Sequence, residues 1–199
     1  MPTEPNASRR LAVGAQEPKA LPQQNEQVFK AIYEKRVWGR EGRGSGAGSD
    51  PAFAMGCAHV LFHVVLSLNI SSVVDAPCGG MAWQELLIPM LKHNVPRLRY
   101  LGVDVVSGVV QGNRARFQQW PHVTFQQQDL AEQRLPRGYE LIFSRDALQH
   151  GTLTDVWRIL RHFAASDAML EAPVQSAVPA CHGRATGPQS GAAYATSPH

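Results

Sequence analysis

The sequence predicts an α/β protein with a Rossmann-like, doubly wound sheet that is mainly parallel. Short β-branched and apolar runs alternate along the chain with segments whose apolar residues follow helical spacing. This alternation is typical of parallel strands joined by covering helices. Acidic residues also stand at the ends of successive predicted strands, which is where doubly wound sheets bind their ligands.

The composition is that of one globular domain with a hydrophobic core. The chain has 199 residues, of which 44% are hydrophobic and 18% are charged. No apolar run approaches the ~18 residues of a membrane span, so we expect no membrane insertion. The net charge of +3 is spread thinly, without the basic stripe that phosphate-backbone binding requires, so the charge pattern does not support a nucleic-acid partner.

The cysteines and the N-terminus predict a cytoplasmic protein. Cys57, Cys78 and Cys181 are widely spaced and form no CxxC pair, which indicates a reducing compartment. The N-terminus has no apolar signal-peptide segment. Arg9 and Arg10 leave open an organellar transit segment, although nearby acidic residues disfavour it.

The folded domain is expected to span residues 26–171, between disordered tails at 1–25 and 172–199. The first tail is rich in Pro, Gln and Ala, the second in Ala, Gly, Pro and Ser, and neither has apolar periodicity. Within the domain, residues 26–50 are predicted to form a helix and a glycine-rich loop. Residues 51–171 are predicted to form the Rossmann-like core.

Apolar spacing and capping residues place the elements of this domain. Ser49 or Asp50 can cap a helix with Pro51 at its first position, and Thr152 with Asp155 forms a capping box for the last helix. The predicted helices cover 26–37, 51–68, 82–93, 107–118 and a segment after 152. The predicted strands cover 72–76, 100–105, 123–129 and 139–146, with a fifth at 168–171 if that short run is a strand. Because helix 51–68 is apolar most of the way round, we expect it to be buried.

The loop after the first predicted strand lacks a dinucleotide fingerprint. A pyrophosphate site would have G-x-G-x-x-G here, and only the pair Gly79-Gly80 is present. Glycines after a strand let a ligand approach the backbone closely. The acid that ends the strand, Asp75, suits a ligand that carries a positive charge.

These features resemble the class I S-adenosylmethionine-dependent methyltransferases. The segment from Val73 to Gly80 is similar to their first motif, in which Asp-x-x-Cys-Gly ends a hydrophobic strand. Asp104 matches the acid that holds the ribose hydroxyls in that family, and Asp129 matches the acid that meets the adenine amine. The resemblance covers roughly residues 33–170.

Two further segments are similar to one bacterial and algal subgroup of this family. Arg145 to His150 has its Arg-Asp-x-Leu-x-His pattern, and Trp38-Gly39 followed by Ser45 to Ser49 has its Trp-Gly and Ser-Gly-x-Gly-Ser segments. The subgroup usually has an acid where this chain has Gly80. Because the family sheet has seven strands, the resemblance implies that the last antiparallel hairpin is missing and that the chain is truncated at its C-terminus.

The resemblance implies S-adenosyl-L-methionine as the cofactor and a small-molecule or side-chain methyl acceptor as the partner. The residues that it assigns to the cofactor are Asp75, Cys78, Gly79, Gly80, Asp104, Asp129 and Arg145. His150 and Asp146 would face the transferable methyl group, with His150 as the candidate base because its reference pKa is ~6.5. The substrate or lid residues are Trp38, Gly39, Ser45 and Gly46, in a glycine-rich loop that could close over the site.

Other interpretations of the same residues stay open. Asp104 is also an ordinary strand-end residue, His150 could cap or pack the next helix, and Arg145 could pair with a neighbouring carboxylate. The chain as a whole could be a truncated, catalytically inactive binding protein, or a Rossmann-like domain for NAD or nucleic acid. No metal site is expected, because His59 and His63 lack a third ligand and are interpreted as buried histidines.

Overall fold

A computed structural model of the chain describes residues 24–166, 168 and 170–173. The helices among them are α1 (Gln24–Glu34), α2 (Pro51–Ser67), α3 (Gln84–Asn94), α4 (Ser107–Arg116) and α5 (Leu153–Ala164). The strands are β1 (Ser72–Asp75), β2 (Arg99–Asp104), β3 (Val123–Gln127), β4 (Leu141–Ser144) and β5 (Leu170–Pro173). Short 3-10 turns lie at Glu41–Gly44, Ala47–Ser49 and Leu148–His150.

The five strands form one parallel sheet in the order β3-β2-β1-β4-β5. β1 pairs with β2 on one side and with β4 on the other, so Asp75 stands beside both Gly102 and Phe143. The chain runs outward from β1 to β3 and then returns to the far side of β1 to begin β4. Such a reversal leaves a crevice at the carboxyl ends of the strands. The predicted α/β class and Rossmann-like parallel sheet are confirmed.

Both faces of the sheet are covered, because alternate residues of each strand point to opposite sides. On one face, Val73, Tyr100 and Phe143 pack in a core shared with α2, α3 and α4. On the other face, Val74 and Ile142 belong to a smaller core that includes a residue of α5. The cleft described below lies at the end of this layered arrangement.

Asp50 and Thr152 cap their helices as predicted. Oδ1 of Asp50 accepts a hydrogen bond from the N–H of Ala52 at 2.8 Å. Oγ1 of Thr152 accepts from the N–H of Asp155 at 3.1 Å and donates to the carboxylate of the same residue at 2.7 Å. These side chains satisfy backbone donors that the first turn of a helix leaves without a partner, which explains where α2 and α5 begin.

Helix α2 is not buried all round, contrary to the sequence interpretation. Ala54 and Leu61 are buried, whereas Phe53 is 46% exposed. His59 and His63 are exposed as well, so the expectation of buried histidines is wrong. Among the described residues, the side of α2 that carries Ala54 and Leu61 packs in the core shared with the sheet. Within the described ranges, no group of three or more His, Cys, Asp or Glu side chains could hold a metal ion.

The ends of the folded part differ by two residues from the prediction. α1 begins at Gln24 rather than at residue 26, and β5 ends at Pro173 rather than at residue 171. The other residues of the predicted tails lie outside the described residues, and so does the region on which the predicted loss of the last hairpin depends. Of the helices that are described, none is both long and apolar enough to cross a membrane.

Gly102 of β2 stands where the packing leaves no room for a side chain. A Cβ there would lie 2.6 Å from Cδ1 of Phe125 and 3.0 Å from Sγ of Cys78, and both residues are buried. We expect Gly102→Ala to lower the free energy of unfolding by about 1–3 kcal/mol, because overpacking forces neighbouring side chains out of preferred rotamers. Urea unfolding of the purified variant measures this change.

Gly112→Ala is the matched control for this substitution. Gly112 lies in α4, and a Cβ there meets open space. We expect the control to leave the free energy of unfolding unchanged or to raise it by ~0.5–1 kcal/mol, because Ala favours a helix over Gly. Equal changes in the two variants would contradict the packing assigned to Gly102.

Candidate functional site

A cleft opens at the carboxyl ends of β1, β2 and β4, beside the reversal of strand order. Side chains of α1 and of the glycine-rich segment, defined as residues 38–49, complete its wall. The predicted site residues that line it are Trp38, Ser45, Asp75, Cys78, Gly79, Asp104, Asp129, Arg145, Asp146 and His150. Gly39, Gly46 and Gly80 are described by the structure and do not line it.

The loop after β1 is held by hydrogen bonds to its two glycines. The N–H of Gly79 donates to Oδ2 of Asp104 at 3.0 Å, and the N–H of Gly80 donates to Oγ of Ser45 at 2.7 Å. The carbonyl of Gly79 accepts from Nδ2 of Asn113 at 2.8 Å, and that of Gly80 accepts from Nη2 of Arg116 at 2.7 Å. Both N–H groups are already engaged, so neither is left to bind a ligand without breaking one of these bonds.

Ser45 places the glycine-rich segment directly over this loop. Its Oγ lies 2.8 Å from the hydroxyl of Tyr33, which links the segment to α1 as well. Gly79 has a φ of +56°, and a Cβ on it would lie 2.7 Å from Oγ of Ser45. Glycine is therefore required at position 79 for both its backbone conformation and this contact.

The three predicted residues that do not line the cleft have packing contacts elsewhere. A Cβ on Gly80 would lie 2.7 Å from Cβ of Arg43, so the segment as it stands leaves no space for the acid of the resembled subgroup. Gly46 packs against Trp38, and Gly39 lies against Glu41. None of the three glycines therefore lines the cleft.

Asp75 is the last residue of β1, and it is 1% exposed. Its Oδ2 accepts hydrogen bonds from the hydroxyl of Tyr100 at 2.6 Å and from Nε2 of Gln84 at 2.8 Å. Burial raises the pKa of Asp75 to about 7, and the bonds from Tyr100 and Gln84 offset only part of that rise. Gln84 is 3% exposed, and its buried Oε1 has no hydrogen-bond partner in the described part of the chain.

Asp104 ends β2 and is 4% exposed. Besides the bond from Gly79, it accepts a hydrogen bond at Oδ1 from the N–H of Val106 at 2.9 Å. Burial raises the pKa of Asp104 to about 6, and these backbone hydrogen bonds limit the rise. Asp104 therefore joins the loop after β1 to the loop that leads into α4.

Asp129 lies two residues beyond β3 and is bonded to α1. Its Oδ2 accepts from Nδ2 of Asn25 at 3.1 Å, and its Oδ1 accepts from the N–H of Ala131 at 2.9 Å. Glu26 of α1 also accepts a 3.4 Å hydrogen bond from the N–H of Ser107, the first residue of α4. The N-terminal end of α1 thus crosses the edge of the cleft.

Arg145 and Asp146 follow β4 and form an ion pair. Nη2 of Arg145 lies 2.9 Å from Oδ2 of Asp146 and donates to the carbonyl of Gly48 at 2.8 Å. The Arg145 side chain is 6% exposed, and its buried Nε has no hydrogen-bond partner within the described residues. Asp146 has a φ of +50°, a conformation that few residues other than Gly, Asn and Asp adopt. The interpretation of Arg145 as half of an ion pair is correct.

Three aromatic rings surround Trp38, and all four line the cleft. The Trp38 ring centroid lies 4.8 Å from that of His150, 6.0 Å from that of Phe29 and 6.1 Å from that of Tyr33. Burial lowers the pKa of His150 below its ordinary value, and the nearby Asp146 offsets this only in part. The imidazole is therefore mostly neutral at pH 7 and can accept a proton.

Several cleft residues lie outside every motif of the sequence, notably Asn25, Phe29, Tyr33 and Gln84. Phe29 and Tyr33 belong to the predicted apolar face of α1, but helical spacing does not say which surface that face covers. Gln84 begins α3 and reaches Asp75 through the tertiary fold. The sequence feature that could have pointed to the α1 residues of the cleft is the position of this helix immediately before the glycine-rich segment.

Comparison with known proteins identifies the fold. No family model and no curated protein sequence matches the chain. The structure of the N-methyltransferase NodS from Bradyrhizobium japonicum, in complex with S-adenosyl-L-homocysteine, is 18% identical, has a TM-score of 0.51 and covers 66% of this chain and 65% of NodS. The methyltransferase domain of a bacterial CtHen1 protein has a TM-score of 0.48 at 18% identity, over 55% of this chain and 59% of that domain.

Magnesium protoporphyrin IX methyltransferase from Synechocystis has a TM-score of 0.46 at 18% identity, over 58% of this chain and 53% of that enzyme. The chain thus spans less than two thirds of the length of each of these three proteins. At 18% identity the likeness to NodS shows the fold alone, which is the Rossmann-like fold described above.

Asp75 gives the protein a testable pH dependence. Its pKa is about 7 in the folded chain against an ordinary value of 3.8, so the folded state keeps a proton that the unfolded state loses. Stability therefore falls as the pH rises through this range. Between pH 5 and pH 8 we expect this group to remove about 2–3 kcal/mol from the free energy of unfolding. Asp75→Asn cannot ionise, and it should lose correspondingly less stability over the same interval.

Urea unfolding of wild type and Asp75→Asn at both pH values measures this difference. Asp104 contributes in the same direction in both proteins, so the difference between them reports Asp75 together with its electrostatic coupling to Asp104. Parallel pH profiles for the two proteins would contradict the account of a buried, partly protonated Asp75.

Proposed function

We propose that the chain binds S-adenosyl-L-methionine in this cleft and transfers its methyl group to a small-molecule or side-chain acceptor. One observation carries the proposal: Asp75, Asp104 and Asp129, which stand at or just beyond the ends of three neighbouring strands, line one cleft beside the reversal of strand order. Ligands of doubly wound sheets bind at this point. The fold likeness to NodS, whose structure contains S-adenosyl-L-homocysteine, supports the same choice of ligand.

The polar groups of the cleft fit those that S-adenosyl-L-methionine presents. Each carboxylate oxygen has two lone pairs, so Asp104 can accept from the ribose hydroxyls and keep its bonds to the backbone. Asp129 can accept from the adenine amine in the same way. The buried Nε of Arg145 is a donor without a partner, and the methionine carboxylate is a matching acceptor. Gly79 lines the cleft, and the methionine part would lie against its backbone once Ser45 moves aside.

For methyl transfer, the chain needs to bind and orient the two reactants and to exclude water from the cleft. S-adenosyl-L-methionine supplies a methyl group that its sulfonium already activates, so the chain needs no nucleophile of its own. His150 is the proposed base, because its neutral ring lines the cleft and packs on Trp38. Cys78 is a packing residue in this proposal, since burial raises the pKa of its thiol well above the ordinary value and keeps it protonated.

The glycine-rich segment is the proposed lid. Trp38 and Ser45 line the cleft from this segment, which is tied down by the bond between Ser45 and Gly80 and by the bond between Arg145 and Gly48. Opening the segment would break both contacts at once. Its glycines allow such a movement at low cost in backbone strain.

A non-catalytic binding protein is the second candidate. Asn25 bonds to the Asp129 carboxylate that the adenine amine would use, and Ser45 stands against Gly79 where the methionine part would pass. In this alternative the chain's own N-terminal part occupies the cleft and turnover does not occur. Formation of S-adenosyl-L-homocysteine from S-adenosyl-L-methionine, with a methyl acceptor present, separates the two candidates.

Calorimetric titration of the full chain with S-adenosyl-L-methionine tests the proposal. We expect saturable binding by wild type and at least about tenfold weaker binding by Asp104→Ala, because the ribose hydroxyls lose their charged acceptor. NAD should not bind. Glu132→Ala is the matched control, because its side chain is 58% exposed and lies outside the cleft.

The outcomes of this titration test the choice of ligand and the role of Asp104 separately. No binding of S-adenosyl-L-methionine would overturn the proposal. Undiminished binding by a folded Asp104→Ala, as judged by its thermal melt, would overturn only the role given to Asp104. Weakened binding by Glu132→Ala to the same extent would also count against that role.

A further inference from the structure

We infer that the methyl acceptor is an amine that enters the cleft as an ammonium ion. The assignment rests on the proposed function and names the substrate class of the same site. Three independent features support it: the charge of the cleft lining, the aromatic rings around Trp38, and a buried acceptor on Gln84.

The cleft is acidic although the chain carries a net charge of +3. Among the described residues, its charged lining side chains are Asp75, Asp104, Asp129, Asp146, Asp155 and Arg145. Asp155 is paired with Arg158, which lies 3.8 Å away outside the lining. The charge of Arg145 is already compensated by Asp146 at 2.9 Å. Even with Asp75 about half protonated at pH 7, the cleft keeps more than one negative charge. A bound S-adenosyl-L-methionine, with one net positive charge, offsets only part of it, so a cation is favoured as the second ligand and an anion is repelled.

The rings around Trp38 provide a surface that suits an ammonium group. A cation over an indole face is attracted by the ring quadrupole, and the attraction grows when water is excluded. His150, 4.8 Å from the indole centroid, is mostly neutral at pH 7, so it does not repel such a cation. Phe29 and Tyr33 complete the aromatic surface.

Oε1 of Gln84 is a hydrogen-bond acceptor for which the described residues provide no donor. Its Nε2 is engaged with Asp75 and with the carbonyl of Cys78, whereas its Oε1 is buried without a partner. A buried acceptor without a hydrogen bond is costly, so a donor from a ligand is expected there. An ammonium carries up to three donors. The amino group of the methionine part has the same chemistry, and the experiment below distinguishes the two sources.

His150 also accounts for the proton that this acceptor must lose. An ammonium nitrogen has no lone pair until one proton leaves, and the neutral imidazole is placed in the cleft to take it. The transfer then forms a nitrogen–carbon bond and breaks a carbon–sulfur bond, whose electron pair stays on sulfur. The products are the methylated amine and S-adenosyl-L-homocysteine.

Three probes of similar size test the assignment: benzylamine, benzyl alcohol and benzoate. Each is titrated calorimetrically into the full chain, with and without saturating S-adenosyl-L-homocysteine. We expect benzylamine to bind at least about tenfold more tightly than benzyl alcohol, and benzoate to show no saturable binding. The binding of benzylamine should weaken as salt is added, and it should persist when S-adenosyl-L-homocysteine is bound.

A pair of tryptophan variants locates the binding. Trp38→Leu keeps an apolar side chain but removes the ring, so we expect it to weaken benzylamine binding about tenfold. Trp157→Leu is the control, because Trp157 is 57% exposed and does not line the cleft, and it should bind benzylamine as wild type does. The comparison of the three probes on wild type stands even where Trp38→Leu fails to fold.

Several results would overturn the assignment. Benzoate binding as tightly as benzylamine would contradict the charge argument, and equal affinities in the two tryptophan variants would contradict the aromatic one. Displacement of benzylamine by S-adenosyl-L-homocysteine would indicate that Oε1 of Gln84 binds the amino group of the methionine part. The assignment of an amine as the methyl-accepting substrate would then be contradicted. Absence of S-adenosyl-L-homocysteine binding would overturn the proposed function itself, and the amine assignment with it.

Discussion

The cleft depends on the hydrogen bonds that fix the loop after β1. Gly79 and Gly80 have no side chains to anchor them, and their backbone groups are held instead by Asp104 from β2, Ser45 from the glycine-rich segment, and two side chains of α4. A loop whose backbone groups are satisfied in this way can line a cleft without a desolvation penalty. The same bonds bring the glycine-rich segment and α4 to this loop, so one set of contacts assembles three sides of the site.

Burial of the carboxylates at the strand ends costs electrostatic free energy. Asp75 and Asp104 are almost fully buried, and burial raises the pKa of each by disfavouring the charged form. Hydrogen bonds from Tyr100, Gln84 and the backbone offset only part of this cost. Perturbed carboxyl groups that meet in a cleft are typical of functional sites, where a ligand supplies the compensating charge or donors. A cationic ligand is the natural complement of such a site.

The sequence predicts the parts of the fold that local chemistry determines. Asp50 and Thr152 cap helices because their side chains reach donors two or three residues away, and the acids at the strand ends meet because parallel strands end at one edge of the sheet. Asn25 and Gln84 could not be predicted in the same way. Each contacts a carboxylate through the tertiary fold, 104 and 9 residues away respectively, and no pattern in the chain records that contact.

The role of Gly80 shows a further limit of motif reasoning. Its place after the Asp-x-x-Cys-Gly segment predicts a cofactor contact, whereas the structure turns it toward Arg43 and away from the cleft lining. The position of the glycine-rich segment decides this, and that position follows from Ser45 and Tyr33 rather than from the motif. The histidines of α2 illustrate the same point, since apolar neighbours predict burial only where a second surface covers the helix.

The proposed location of the cofactor is most directly tested by amide chemical-shift mapping of the isotopically labelled full chain during titration with S-adenosyl-L-homocysteine. The amides of Gly79, Val106 and Ala131 each donate to a carboxylate that the account places against the ligand. They should therefore show the largest, saturable shifts. Saturable shifts confined to another region, such as α2, or no change at these three amides, would contradict the account.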